Sequence, residues 1–162
     1  MNEAIEHIPS GREILKGLEA EGKYLFHGSE REHLDSLEPR QAYNFEDGIQ
    51  KPDGDPAVFA SSKADYSILM AIVNERNCPN GYRSGAESSI GKDGVVELHL
   101  TASKASLEQL DDNSIGYVYV FDKDLFQPKG QGAEYVSKTP VTSAKKIKVM
   151  KSDLPPYIEI VE

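Results

Sequence analysis

Tryptophan is absent from this chain of 162 residues, and cysteine occurs once, at Cys78. A lone cysteine excludes an internal disulfide framework and any cysteine-rich metal site. It also favours a reducing compartment. Long apolar runs are missing too: no stretch approaches the ~20 residues of a membrane-spanning helix. Met1–Ser10 is polar and acidic, without the apolar core of a signal peptide. The expected setting is cytoplasmic, with no membrane partner. Positive charge is scarce, with 18 Lys and Arg against 27 Asp and Glu, a net charge of −9. That balance opposes general binding to a nucleic-acid backbone. One stretch runs the other way. Six lysines (129, 138, 145, 146, 148 and 151) and a single acid, Glu134, lie between Pro128 and Lys151. Those lysines suit either an anionic partner or the solvated face of a strand.

What is present reads as one domain of mixed α+β type. Residues 1–9 form a loose terminus. Ser10 and Glu13 have the spacing of a helix-capping box, Ile14, Leu15 and Leu18 share a face, and Gly22 ends the helix after about Glu21. Tyr24-Leu25-Phe26-His27-Gly28-Ser29 is a short apolar strand that ends in a polar, glycine-containing turn. Ser29 and Glu32 suggest a further capped helical turn, to about Leu37. A long polar loop follows, with the turn formers Asp47-Gly48 and Pro52-Asp53-Gly54-Asp55-Pro56, and is expected to act as a flap. Residues 57–60 are a short apolar strand. Ser62 and Asp65 then cap a helix that carries Tyr66, Leu69, Met70 and Val73 to about Asn74. Residues 75–93 read as a second irregular loop and a second possible lid.

The remaining chain is β-rich. Strands are expected at residues 95–101, 115–121, 133–137, 141–150 and 157–161, with a short helix at 103–110. In the second of these, Tyr117 and Tyr119 face one way and Val118 and Val120 the other. There are no repeats and no interdomain linker.

Three segments, taken in order, resemble the His-Tyr-Glu branch of the ADP-ribosyltransferase superfamily: Phe26-His27-Gly28-Ser29, Val58-Phe59-Ala60-Ser61-Ser62-Lys63-Ala64-Asp65-Tyr66, and Gly132-Ala133-Glu134-Tyr135-Val136-Ser137. The pattern is also similar to that of small bacterial and phage proteins. The resemblance runs from Tyr24 to Val149. It implies a split β-sandwich that binds NAD, as substrate, in a cleft between two small sheets. It further implies that His27 bonds a ribose hydroxyl, that the Gly28 backbone grips the nicotinamide carboxamide with Ser29 beside it, and that Tyr66 stacks on the ring. Ser61 or Ser62 would add a hydroxyl to the carboxamide. Glu134 would hold the nicotinamide-ribose 2′-hydroxyl and stabilise the oxocarbenium-like transition state. The implied activity is ADP-ribosyl transfer to a protein or nucleic-acid acceptor. A glycohydrolase, an RNA 2′-phosphotransferase and a non-catalytic nucleotide- or protein-binding module are the alternatives on the same scaffold.

The sequence departs from the superfamily in three places. Gly132 stands two positions before Glu134, where another branch has an acid or amide. Lys63 replaces a serine. The five arginines are few for a 2′-phosphotransferase. Arg40 suits the NAD pyrophosphate or a substrate phosphate, and equally a surface ion pair. Plainer readings stand beside the rest: Tyr66 as core, Glu134 as a solvated edge charge. Glu97 and His99 share a strand face but have no third partner, so no metal is expected. Cys78 has no histidine near it in sequence to make it a nucleophile.

Overall fold

The computed structural model describes residues 7–162, without the side chains of Asn44, Phe45 and Asp53. The terminus expected over residues 1–9 therefore lies outside the described residues up to Glu6. The class is α+β. Helix α1 (Gly11–Ala20) is capped as its sequence suggests, with Ser10 Oγ accepting from the Glu13 N–H at 3.1 Å. It buries Leu15 and Leu18, but leaves Ile14 exposed. Gly22, at φ 72°, supplies the left-handed residue that ends it.

The chain then builds β1 (Tyr24–Ser29), β2 (Arg40–Glu46), β3 (Ile49–Ser61), α2 (Ala64–Ile72), β4 (Ser84–Ile90), β5 (Val96–Ser103), α3 (Lys104–Glu108), β6 (Ile115–Asp122), β7 (Gln127–Pro128), β8 (Glu134–Ser137), β9 (Lys145–Met150) and β10 (Glu159–Val161). The main sheet has the order β7-β8-β3-β1-β6-β9, with β2 paired to β3 outside that path. A second sheet has the order β10-β5-β4. The three motif strands β8, β3 and β1 are thus side-by-side neighbours, although far apart in sequence.

Both faces of the main sheet are covered. Along β6, Val118 and Val120 point into a cluster with α1, α2 and the inner face of the second sheet (Leu100, Ala102). Tyr117, Tyr119 and Phe121 point into the other cluster, with Leu25, Val58 and Phe126. This is the alternation expected from the sequence. Helix α2 is buried almost all round, as its apolar composition requires. It lies close on the sheet because glycines face it: a Cβ on Gly28 would sit 2.0 Å from Ser67 O, and one on Gly116 would sit 1.9 Å from Ala71 O.

Several local expectations are corrected. The polar stretch expected to be a flap is a long hairpin, β2–β3, closed by Asp47 and Gly48 at φ 52° and 76°. Positive φ at both turn residues matches the right-handed twist of the strands, which is why Asp-Gly favours such hairpins. Within 75–93 lies β4, fully paired to β5. Residues 30–37 form no helix; Ser29 Oγ accepts from Arg31 N instead. Val141 makes an isolated bridge to Leu37, and the strand begins only at Lys145. The α2 cap is not Ser62 with Asp65. Glu19 of α1 accepts from the Ala64 N–H at 2.8 Å, and Asp65 is committed elsewhere.

Candidate functional site

β1 and β3 share only one registered pair, Phe26↔Ser61, and then diverge. The His27 ring fills the opening: its Nδ1 lies 2.8 Å from Phe59 O. A carbonyl only accepts, so Nδ1 carries the proton. Burial pushes the imidazole below its ordinary value, against the Phe59 carbonyl; the Arg40 charge pushes it the same way as burial. His27 is therefore neutral at pH 7, and its Nε2 is left as an acceptor.

The divergence opens a cavity of about 620 Å³, within the range of small-molecule sites. Strand β1 contributes His27 and Gly28, β3 contributes Phe59 and Ser61, α2 contributes Tyr66 and Met70, and β8 contributes Glu134. The opposite wall is β4, at Ala86, Glu87 and Ser88. Burial raises the Tyr66 hydroxyl above its ordinary value, and the nearby Glu134 carboxylate raises it further. Tyr66 and Glu134 thus face one another electrostatically. Glu134 itself is half exposed, at 47%, with Lys129 Nζ at 4.0 Å. It starts β8 and stands opposite Ser61 in register. Ser88 Oγ accepts from the Ala133 N–H at 3.0 Å, which joins β4 to the residue before Glu134. A Cβ on Gly132 would sit 2.4 Å from that same oxygen, so the glycine permits the junction.

A second cavity of about 360 Å³ lies on the other side of His27 and Phe59, which line both. It holds Ser29, Arg31, Glu38 and Arg40. Its wall over 30–37 is tied down by Tyr119 Oη donating to Arg31 O at 2.6 Å and by Lys146 Nζ donating to Glu32 O at 2.6 Å.

Of the residues singled out from sequence, His27, Gly28, Ser61, Tyr66 and Glu134 meet at the first cavity, and Ser29 and Arg40 at the second. Ser62 lines neither; its N–H donates to Ala133 O. The Gly28 position is required by α2 packed against it, whatever the ligand. The β4 wall and Arg31 were not foreseen. The sequence signal for β4 is Gly91-Lys92-Asp93-Gly94 between Ile90 and Val95, a hairpin turn with apolar flanks.

Among the described residues, no three His, Cys, Asp or Glu side chains gather as a metal site. His99 pairs with Glu159 at 2.5 Å. Cys78 is buried, which raises its thiol and keeps it protonated. No described helix is long and apolar enough to cross a membrane. No family model, curated protein or solved structure matches the chain.

Proposed function

We propose that this chain cleaves NAD between nicotinamide and ribose and transfers the ADP-ribose to an acceptor, on an ADP-ribosyltransferase-like scaffold. The observation that carries the reading is the convergence of His27, Tyr66 and Glu134. They come from three motifs spread along the chain, and they meet on neighbouring elements at one cavity.

Charge supports the same reading. The charged residues lining the first cavity, Glu87 and Glu134, are acids, and among the described residues the one cation beside them is Lys129, 4.0 Å from Glu134. That suits the cationic nicotinamide ring of NAD. The second cavity holds Arg31 and Arg40 beside one acid, Glu38, which suits the pyrophosphate. His27, neutral and with Nε2 as acceptor, stands between the two, where a ribose hydroxyl would donate to it.

In this mechanism the C1′–N bond breaks and its electron pair leaves with the ring. Nicotinamide departs neutral and needs no proton. The positive charge moves to the ribose, where the Glu134 carboxylate opposes it more strongly in the transition state than in the ground state. Tyr66 packs on the ring and excludes water. The acceptor then bonds to C1′ and releases its proton to solvent.

The test is nicotinamide release from NAD, with a cell extract supplying acceptors. Glu134→Gln is expected to lower turnover by about 10²–10³ while leaving NAD affinity within a few-fold. Turnover equal to that of the unsubstituted protein would remove Glu134 from the mechanism. NAD binding without release by either protein would favour the non-catalytic module.

A further inference from the structure

Five described strands stand at an edge of their sheets: β2, β7, β9, β10 and β4. An open edge offers unpaired N–H and C=O groups, and proteins guard such edges with lysine, proline, irregular register or shortness. Four of the five are guarded in these ways. β9 carries Lys145, Lys146 and Lys148. β7 is two residues long and ends in Pro128, and β10 has three residues. β2 breaks register between Arg40 and Ala42.

β4 has none of these devices at Ser84–Ala86; its Ser88 end is met by another segment, where Ala133 N–H donates to Ser88 Oγ at 3.0 Å. It pairs with β5 through seven consecutive residues without a shift, and its sequence, Ser-Gly-Ala-Glu-Ser-Ser-Ile, has no lysine or proline. The direction of its free groups follows from the ladder. Gly91 N donates to Val95 O, and Ser103 N donates to Arg83 O. Odd-numbered residues of β4 therefore bond toward β5, and the even-numbered Ser84 and Ala86 turn their N–H and C=O outward. The edge at Ala86 forms a wall of the first cavity.

From this we infer that the β4 edge is the docking site for the acceptor, an extended polypeptide that adds a strand beside β4 and carries its acceptor side chain toward Glu134. This rests on the proposed NAD cleavage at the same cavity. Backbone pairing gives affinity with little demand on sequence. The side chains at Ser84, Gly85 and Ala86 are small, and this is the part of the edge that Gly132–Ala133 does not meet. An unfolded or loop segment fits, because only an extended backbone can pair with an edge. A nucleic acid does not fit: the charged residues lining the cavity are two carboxylates, with the Lys129 ammonium beside Glu134, and the chain carries a net charge of −9.

The test uses the full chain, NAD labelled in its adenylate half, and three acceptors in separate reactions: β-casein, which is disordered, folded lysozyme, and bulk transfer RNA. Label is expected on casein well above lysozyme and RNA. Ser84→Pro removes one outward N–H at the first position of the strand, where proline is tolerated. It is expected to lower casein labelling about fivefold, the worth of one backbone hydrogen bond, with NAD affinity unchanged. Equal labelling of casein and lysozyme, preferential labelling of RNA, or unaltered labelling by Ser84→Pro would each overturn the inference. If Ser84→Pro does not fold, amide exchange on the unsubstituted protein decides. Slowed exchange at Ser84 and Ala86 on adding casein supports docking, and unchanged exchange overturns it. Absence of nicotinamide release from the unsubstituted protein overturns the proposed NAD cleavage instead, and the same exchange measurement then decides the docking alone.

Discussion

His27 shows how much one side chain can carry here. Its ring replaces the backbone pairing that β1 and β3 abandon after Phe26↔Ser61, and burial holds it neutral. The lowered value has a consequence for stability. The unfolded chain takes up a proton on this imidazole near pH 6.5, while the folded chain does so only at lower pH. Its contribution is therefore complete above about pH 6.5 and is lost progressively as pH falls below it. Denaturation midpoints measured between about pH 5 and 8 should fall less steeply on acidification in His27→Gln than in the unsubstituted protein. Equal slopes would show that the ring is not desolvated. At this scale the sequence was informative, because three motifs, each where a strand ends or begins, singled out His27, Tyr66 and Glu134, which meet at one cavity. It did not show that Gly28 serves the helix. A glycine beside a histidine looks the same whether a ligand or a backbone approaches it.

Between elements, the decisive contact is α2 on the β1–β6 sheet surface. Gly28→Ala would drive a methyl group into the Ser67 carbonyl and Ala71 amide. That is backbone, which cannot swing aside. The expected loss is at or above the upper end of the ~1–3 kcal/mol typical of overpacking, read as a lowered thermal midpoint. Because α2 carries Tyr66, the same change should weaken NAD binding. A variant with unaltered midpoint would mean that α2 sits farther from β1. The elements misread from sequence are instructive. β2 and the first part of β3 are polar, with prolines at 52 and 56, and β4 is mostly serine, glycine and alanine. Neither shows the alternation that marks a half-buried strand, since β2 is paired on one side only and β4 is a sheet edge. Their pairing partners specify them.

Across the whole molecule, the buried carboxylate of Asp65 ties the two ends of the chain to α2. Arg12 grips it with two bonds, Nε–Oδ1 at 2.9 Å and a terminal nitrogen to Oδ2 at 3.0 Å. Tyr157 donates to Oδ2 at 2.5 Å, and Lys16 stands 3.9 Å away. Burial alone would push the carboxyl up. The Arg12 and Tyr157 hydrogen bonds, with the Lys16 charge, outweigh it and hold the group below its ordinary value. Its stabilisation is present above about pH 4, the unfolded value, and is lost as pH falls through the lower folded value. Arg12→Ala leaves that charge buried and poorly paired. It should cost about 3–5 kcal/mol, toward the lower end because Tyr157 remains, and should move acid unfolding to higher pH. Urea midpoints across the acid range check both. A variant with an unchanged acid transition would show that Tyr157 and Lys16 suffice.

Asp65 also marks the boundary between what could be read along the chain and what required the fold. Residue types, apolar spacing and turn formers act through nearest neighbours. The α+β class, the helix that follows Ser10, the facing of β6 and the three motifs were therefore legible in order. Asp65 looked like a helix cap because it stands three positions after Ser62, a local relation. In the folded chain it answers to Arg12 and Tyr157, far away in sequence on either side, and Glu19 supplies the cap. The adjacency of β8, β3 and β1, the β4 wall and the meeting of Tyr66 and Glu134 at one cavity are likewise relations between distant segments. Each depends on which surfaces bury one another, and that energy exists only once the chain has closed on itself.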